Sequence, residues 1–123
     1  MIHLDTSALV RALTGDRSEA PALRRFVADG NRLGVCSVVL YEWWRGPRTP
    51  QDLALQEALI PSDAAVGFGA REAALAARLY GAVSRPRGRE IDLVVAACAI
   101  AGGATLWTLN PRDFKDIPGL TLA

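Results

Sequence analysis

The sequence predicts an α/β protein whose parallel β-sheet is covered by helices on both faces. Short apolar segments typical of buried strands alternate along the chain with longer segments whose apolar residues recur at helical spacing. Parallel strands need such crossover connections, which place helices on both sides of the sheet. A chain of 123 residues, half of them hydrophobic, suits one compact domain over residues 1–123.

The first half of the chain predicts two strands and four helices. In order, these are a strand over 1–5, a helix over 7–14, a helix over 18–29, a strand over 32–36, a helix over 37–45 and a short helix over 51–59. Thr6 or Ser7 is the expected cap of the first helix, and Ser37 is the expected cap of the third. Gly-Pro at 46–47 then ends that third helix.

The second half predicts two long helices and up to three strands. In order, these are a weak strand over 63–68, a helix over 69–83, a helix from 90 to the glycine pair at 102–103, a strand over 104–109 and a candidate last strand over 119–122. The longest apolar run, residues 93–107, is shorter than the roughly 20 residues that span a bilayer. It therefore indicates a buried helix followed by a buried strand, and no membrane segment.

Composition excludes a general electrostatic attraction to nucleic acid, because 14 basic and 13 acidic residues nearly cancel. Thirteen of the basic residues are arginine, which favours bidentate phosphate contacts, although biased genome composition would produce the same excess. Cys36 and Cys98 lie apart in apolar segments, which predicts two buried free thiols in a reducing cytoplasm. The N-terminus has no signal-peptide pattern, so we expect a cytoplasmic protein.

Four acidic residues lie near the expected carboxyl edge of the sheet, where open α/β proteins place their functional groups. They are Asp5, Glu42, Asp92 and Asp113. Each has an ordinary explanation when taken alone. Asp5 would suit a cap or turn, Glu42 a solvated helix face, Asp92 a helix N-terminus and Asp113 the third position after an Asn-Pro helix start.

The expected meeting of all four acids at one edge favours a catalytic or metal-binding role over these separate explanations. Two carboxylates about 4 Å apart repel by about 4 kcal/mol at an effective dielectric constant of 20, so a cluster must take up protons or hold a cation. Oxygen ligands without Cys or His favour Mg²⁺ or Mn²⁺ over zinc. Bound metal can activate water and neutralise a phosphoryl group without a protein nucleophile.

Three motifs, taken in their order along the chain, resemble the PIN-domain family of metal-dependent ribonucleases, and in particular the VapC-type toxins of bacterial toxin–antitoxin pairs. They are "LDTSAL", "YEWWRG" and "REIDLVVAACAIAGGATLWTLNPRDF". The resemblance implies a single PIN domain with a three-layer α/β/α sandwich, and one or two Mg²⁺ or Mn²⁺ ions held by Asp5, Glu42, Asp92 and Asp113. It also implies an RNA substrate, a cognate antitoxin and a homodimer. Leu109 departs from the arginine that many relatives carry before the Asn of the last motif.

Other polar residues are expected to assist the carboxylates. Ser7 is expected to touch metal-bound water, while by similarity Thr108 and Asn110 orient Asp113 or that water; turn formation explains Asn110 equally well. Three arginines form the one dense basic stretch and are candidates for RNA contacts, with a solvated loop as the alternative: Arg85, Arg87 and Arg89. The single histidine, His3, is expected to pack in the core.

Two alternatives to a nuclease remain open. "GFGARE" at 67–72 places Gly-x-Gly before a helix, but the third glycine of a dinucleotide fingerprint is missing. The stronger alternative is a catalytically inactive module of the same fold that binds RNA or protein without cutting it. The presence of all four acidic residues argues against that alternative.

Overall fold

A parallel sheet of three short strands forms the centre of the computed structural model, which describes all residues from 1 to 123. The strands are β1 (Ile2–Leu4), β2 (Leu33–Gly34) and β3 (Thr105–Trp107), in the order β2-β1-β3. Ile2 of β1 lies opposite Leu33 on one side and Thr105 on the other. Because β1 is the central strand, both of its edges are paired.

Six helices flank this sheet. They are α1 (Thr6–Leu13), α2 (Ala20–Ala28), α3 (Ser37–Arg45), α4 (Pro50–Leu59), α5 (Ala70–Ala82) and α6 (Glu90–Ala101). Helix α1 contacts α2, α3 and α4, whereas α5 packs along α6. The predicted α/β class with a helix-covered parallel sheet is confirmed.

The hydrophobic core is one cluster of 26 buried residues drawn from both sheet and helices. Helix α6 contributes six of them, which agrees with the buried helix predicted from its long apolar run. The strand that follows α6 is buried at Leu106 and Trp107. At the opposite end of the chain, α1 starts directly after β1, so its polar N-terminus lies at the carboxyl end of the central strand.

Two predicted strands are reduced to single bridges. Residues 62–64 form a 3-10 turn after Pro61 instead, and only Val66 pairs, with Cys36. Near the C-terminus only Leu122 pairs, with Leu106, after a turn in which Gly119 adopts a φ of +81°. Both segments lie beside the sheet without the repeated hydrogen bonds that extend it.

Two helix caps also differ from prediction. Asp5 caps α1 in place of Thr6 or Ser7, because its side chain accepts a hydrogen bond from the Thr6 amide. Cys36 occupies the N-cap position of α3 with no side-chain hydrogen bond, and Ser37 is the first helical residue. Helix α1 therefore begins one residue earlier than predicted, whereas α3 has the predicted bounds and only its cap moves to Cys36.

Two expectations about cysteines and membranes can be compared with the structure directly. Cys36 and Cys98 are free and buried, as predicted. None of the helices combines the length and apolar character needed to cross a bilayer.

Candidate active site

The carboxyl ends of β1 and β3 bring the first and last motifs together. Asp5 follows β1 directly, and its backbone amide donates a hydrogen bond of 2.9 Å to the carbonyl of Trp107, the last residue of β3. Thr108 comes next in the chain, and its hydroxyl donates to Asp5 Oδ2 at 2.7 Å. Residues 103 positions apart in sequence are therefore joined because parallel strands end at the same edge of the sheet.

Asp5 is nearly buried, with 7 % of its surface exposed, and both of its oxygens accept hydrogen bonds. Oδ1 accepts from the Thr6 amide at 2.8 Å, while Oδ2 accepts from Thr108 and from the Ser7 hydroxyl at 3.1 Å. Hydrogen bonds of this kind offset the cost of burying a carboxylate. The side chain is thereby held in one orientation at the edge of the sheet.

Ser7 and Thr108 extend this hydrogen-bonded network into the last motif. The Ser7 hydroxyl accepts from the Leu109 amide at 3.1 Å, and the Thr108 hydroxyl accepts from the Asn110 amide at 3.1 Å. The two hydroxyls therefore connect Asp5 to the backbone that leads to Asp113. Asn110 takes part through its main chain, and its side chain makes no capping hydrogen bond to the 3-10 turn at Pro111–Asp113.

Glu42 reaches the same edge from α3. Its Oε1 accepts a hydrogen bond of 2.7 Å from Thr6, the residue next to Asp5, and Arg45 lies 3.5 Å from its Oε2. Arg45 is largely exposed, so this ion pair contributes little to stability. The sequence did not predict this contact between Thr6 and Glu42, because Thr6 was expected to cap the first helix.

Asp92, in the first turn of α6, carries a raised pKa. Burial is the largest cause and, together with neighbouring charges, raises the pKa of the Asp92 carboxyl from 3.8 to about 6. Those neighbouring charges are the carboxylates of the other three predicted acids, Asp5, Asp113 and Glu42. Arg89 acts in the opposite direction and lowers the pKa. The other three acids therefore lie close enough to Asp92 to act on its charge.

Arg89 holds the turn that carries Asp113. Its guanidinium donates to the Asp113 carbonyl at 2.9 Å and to both oxygens of Asp116, at 2.6 and 2.9 Å. The Asp116 hydrogen bonds are the main cause of the raised pKa of Arg89. Asp116 was not singled out by the sequence, since no spacing rule connects it with a residue 27 positions earlier.

The donor set suits a hard divalent cation, although its side chains are not gathered around one point. No group of three or more His, Cys, Asp or Glu side chains stands close enough to hold an ion jointly. Mg²⁺ keeps several of its water ligands and is commonly bound through one or two carboxylates, so it does not need three direct ligands. Oxygen donors and the electrostatic strain on Asp92 both fit such an ion.

The remaining singled-out residues divide into exposed and buried groups. Arg85 and Arg87 are exposed on the loop between α5 and α6 and make no hydrogen bond or ion pair with another residue. His3 is buried within β1, as expected. Of the two adjacent tryptophans, Trp43 is fully buried and Trp44 is 52 % exposed.

Comparison with known proteins places this geometry in a recognised family. The PIN domain family model matches residues 2–120 of the chain, which is nearly its whole length. No protein of known, curated function matches the chain. The match covers all three quoted motifs and the four acidic residues.

Solved structures from three bacteria are similar to this chain over nearly their whole length. The VapBC2 complex of Rickettsia felis, bound to a DNA fragment from its promoter, contains a chain that is 27% identical, with a TM-score of 0.72 and coverage of 100% of this chain and 98% of that one. The DNA-bound VapBC of Salmonella typhimurium gives 20% identity, a TM-score of 0.78 and coverage of 99% and 96%. FitAcB of Neisseria gonorrhoeae gives 17% identity, a TM-score of 0.72 and coverage of 100% and 97%.

Proposed function

Because this chain belongs to the PIN-domain family, we propose that it is an endoribonuclease that depends on Mg²⁺ or Mn²⁺ and hydrolyses RNA phosphodiester bonds. Four carboxylates would carry the activity and hold the metal: Asp5, Glu42, Asp92 and Asp113. The observation that carries the proposal is the meeting of the first and last motifs at one edge of the sheet, where Thr108 donates to Asp5 at 2.7 Å and Thr6 donates to Glu42 at 2.7 Å. The raised pKa of Asp92, to which the charges of the other three acids contribute after burial, agrees with it. A divalent cation would relieve that repulsion and lower the pKa of Asp92.

The chain's own residues would position the metal ligands. Thr108 and Ser7 fix the orientation of the Asp5 carboxylate through hydrogen bonds, and Thr6 does the same for Glu42. Hydrogen-bond partners of this kind strengthen and orient ligands to a metal. When bound, the metal would supply an activated water and neutralise charge on the phosphoryl oxygens.

Neither His3 nor Ser7 is arranged to serve as a nucleophile or general base. His3 is buried within the sheet and the pKa of its imidazole is lowered, first by burial and then by the charge of the N-terminal amine. Ser7 hydrogen-bonds to Asp5 and Leu109, and no histidine is among its partners. The expected assistance of Ser7, Thr108 and Asn110 would therefore be to orient ligands and water.

We further propose that the protein acts as the toxin of a VapBC-type pair in the cytoplasm. The similar structures from Rickettsia felis and Salmonella typhimurium are described as VapBC complexes, and this chain covers nearly all of each matched chain. The partners would be a cognate antitoxin and, as in the sequence-based expectation, a second copy of this chain. A co-purified small protein encoded beside this gene would identify the antitoxin directly.

Thermal melting with and without Mn²⁺ tests the metal site. Binding to the folded state alone raises the melting temperature, by an amount that grows with metal concentration. We expect Mn²⁺ to stabilise the wild type, Asp5→Asn to lose most of that shift, and the exposed Asp63→Asn to keep it. An equal shift in all three proteins would show that Mn²⁺ binds elsewhere.

Cleavage of RNA tests the activity itself. We expect wild-type protein with Mn²⁺ to cut RNA, and either EDTA or Asp92→Asn to prevent it. A specific observation favours the inactive binding module as the second candidate, since no three ligating side chains are gathered around one point. RNA that stays intact under every condition but is retained by the protein would support that module.

A further inference from the structure

An open hollow of about 530 Å³ lies beside the loop between α5 and α6. It is lined by Tyr80, Ser84, Arg85, Pro86 and Arg87. Its volume falls within the range of roughly 300 to 1,000 Å³ typical of sites that take small organic ligands. The combination of one aromatic ring and two guanidinium groups is characteristic of surfaces that bind single-stranded nucleic acid.

The side chains of this hollow have no partners within the protein. Arg85 and Arg87 are exposed and engage no carboxylate, in contrast to Arg89, which is fully occupied by Asp116 and the Asp113 carbonyl. Tyr80 is 39 % exposed although it belongs to a helix whose other face packs on α6. Two free positive charges beside an accessible ring leave room for an anionic, planar ligand.

Arg89 also fixes where the hollow lies relative to the acidic site. It comes two residues after Arg87 and three residues before Asp92, and it donates to the main chain at Asp113. The loop that carries the two free arginines is therefore attached, at its C-terminal end, to the turn that carries one of the four acids.

We propose that Tyr80, Arg85 and Arg87 form a seat for one nucleotide of single-stranded RNA, on the loop that Arg89 connects to the turn carrying Asp113. The base stacks on the Tyr80 ring, and the two guanidiniums contact its flanking phosphates. This inference rests on the proposed ribonuclease function and adds to it a specific place where substrate is held. It also separates the roles of the three arginines: Arg85 and Arg87 contact RNA, whereas Arg89 stabilises the fold through Asp116 and the Asp113 carbonyl.

Stacking and phosphate contacts predict the kind of recognition that this seat provides. Every base has a π-face, so stacking on Tyr80 tolerates different bases. Phosphate contacts position the backbone and carry no sequence information. The seat therefore contributes affinity and register, and it favours unpaired RNA because a base in a duplex is not free to stack on a side chain.

RNA binding measured in EDTA tests this seat separately from cleavage, because EDTA removes the metal that cleavage is proposed to need. A fluorescein-labelled, unstructured RNA oligonucleotide of mixed sequence is titrated with the full-length protein, and anisotropy is recorded over a range of salt concentrations. The variants are Arg85→Gln combined with Arg87→Gln, Tyr80→Leu and Tyr80→Phe. The matched control combines Arg25→Gln with Arg78→Gln, which removes two exposed arginines that do not line the hollow.

We expect the loop double variant to bind RNA about tenfold more weakly and to lower the slope of log affinity against log salt by about 1.4, the value for two lost contacts to a single strand. The control double variant should change both quantities less. Tyr80→Leu should weaken binding about fivefold or more, and Tyr80→Phe should restore it because the ring remains. Circular dichroism verifies that each variant is folded.

The outcomes distinguish this seat from the proposed function. Weakened binding by the loop and Tyr80→Leu variants supports the seat even if no cleavage is ever observed, in which case only the nuclease proposal fails. Wild-type affinity and salt slope in those variants overturn the seat, whether or not the protein cleaves RNA or the variants lose a protein partner. Equal losses in the loop and control variants overturn it as well, since they indicate only a general charge effect.

Discussion

His3 and Asp5 are two polar residues, two positions apart, that are both almost completely buried, yet they differ in how that burial is satisfied. Asp5 is 7 % exposed and accepts hydrogen bonds at both oxygens, whereas His3 is 2 % exposed and its Nε2 has no partner. Asp5 follows the end of β1, where helix starts and loops supply donors. His3 lies in the middle of the strand, where the backbones of β2 and β3 are already paired with β1.

This difference teaches how position in a parallel sheet decides the role of a polar side chain. The middle of β1 accepts an imidazole only as a neutral packing group, which touches the backbone at Gly34 so closely that an added Cβ there would lie 3.0 Å from His3 Cδ2. The carboxyl end can hold a charge, because hydroxyls and amides from two motifs converge on it. Charge at that end is available for a ligand.

Replacing Asp5 with Asn should have the largest effect on function and a small one on stability. Asn keeps the shape and can still accept from Thr6, while the Ser7 and Thr108 hydroxyls can accept from its amide group. We expect RNA cleavage to fall by about 10²-fold or more, the loss typical of removing a preorganised electrostatic group. The free energy of unfolding should change by no more than about 1 kcal/mol.

Rates of RNA cleavage and urea unfolding curves measured on the same preparations check this prediction. Undiminished cleavage by Asp5→Asn would mean that its buried charge has no chemical role, and the contrast with His3 would disappear. A loss of cleavage that merely follows a loss of folded protein would show that Asp5 is needed for structure alone.

Thr108→Val should weaken metal binding while leaving all four acids in place. It removes the hydroxyl that donates to Asp5 and accepts from the Asn110 amide. Loss of an orienting partner typically costs about 10- to 100-fold in metal affinity. Mn²⁺ titration by calorimetry should show this loss for Thr108→Val and near-wild-type affinity for Thr108→Ser. Equal affinity in Thr108→Val would show that Asp5 is not oriented by this bond.

The position of Asp5 at the edge of the sheet could be predicted because the first apolar run ends there, and parallel strands end at one edge. The end of β3 was less legible. The predicted strand over 104–109 included Thr108, whereas β3 ends at Trp107 and Thr108 lies just beyond it. The PIN-domain resemblance, which rests on motifs near this edge, is confirmed.

Partners of individual side chains could not be predicted in the same way. Thr6 looked like a helix cap, but its hydroxyl donates to Glu42, because Asp5 occupies the cap position. Arg89 looked like its neighbours Arg85 and Arg87, yet it alone is engaged, by Asp116 and the Asp113 carbonyl. Both outcomes depend on contacts across the fold, which have no periodic signature in the chain.

Asp92→Asn should change stability in a way that depends on pH. The pKa of Asp92 is raised to about 6, so the folded state holds its proton above pH 3.8, where the unfolded state releases it. The wild type therefore loses stability as pH rises from about 4 to about 6, and this loss levels off above that range. Allowing for solvent screening, metal-free Asp92→Asn should be more stable than wild type by about 1 kcal/mol above pH 6, and the difference should vanish near pH 4.

Urea unfolding in EDTA at several pH values measures that difference. A difference between wild type and Asp92→Asn that stays constant with pH would contradict the electrostatic origin of the shift. Addition of Mn²⁺ should reverse the order, since the ionised carboxylate then has a partner in the wild type alone.

His3→Leu should have the smallest effect and the opposite dependence on pH. Burial, with a further contribution from the N-terminal amine, lowers the pKa of His3 below 6.5. The unfolded chain then takes up a proton as pH falls through 6.5 while the folded chain does not, so His3 destabilises the fold in acid and not at neutral pH. Leucine removes both this penalty and the unpartnered Nε2. We expect unchanged RNA cleavage, a free energy of unfolding within about 1 kcal/mol of wild type at pH 8 and a relative gain in stability below pH 6.5.

Melting temperatures of the two proteins across this pH range provide the measurement. A loss of cleavage in His3→Leu would show that the middle of β1 takes part in the chemistry after all.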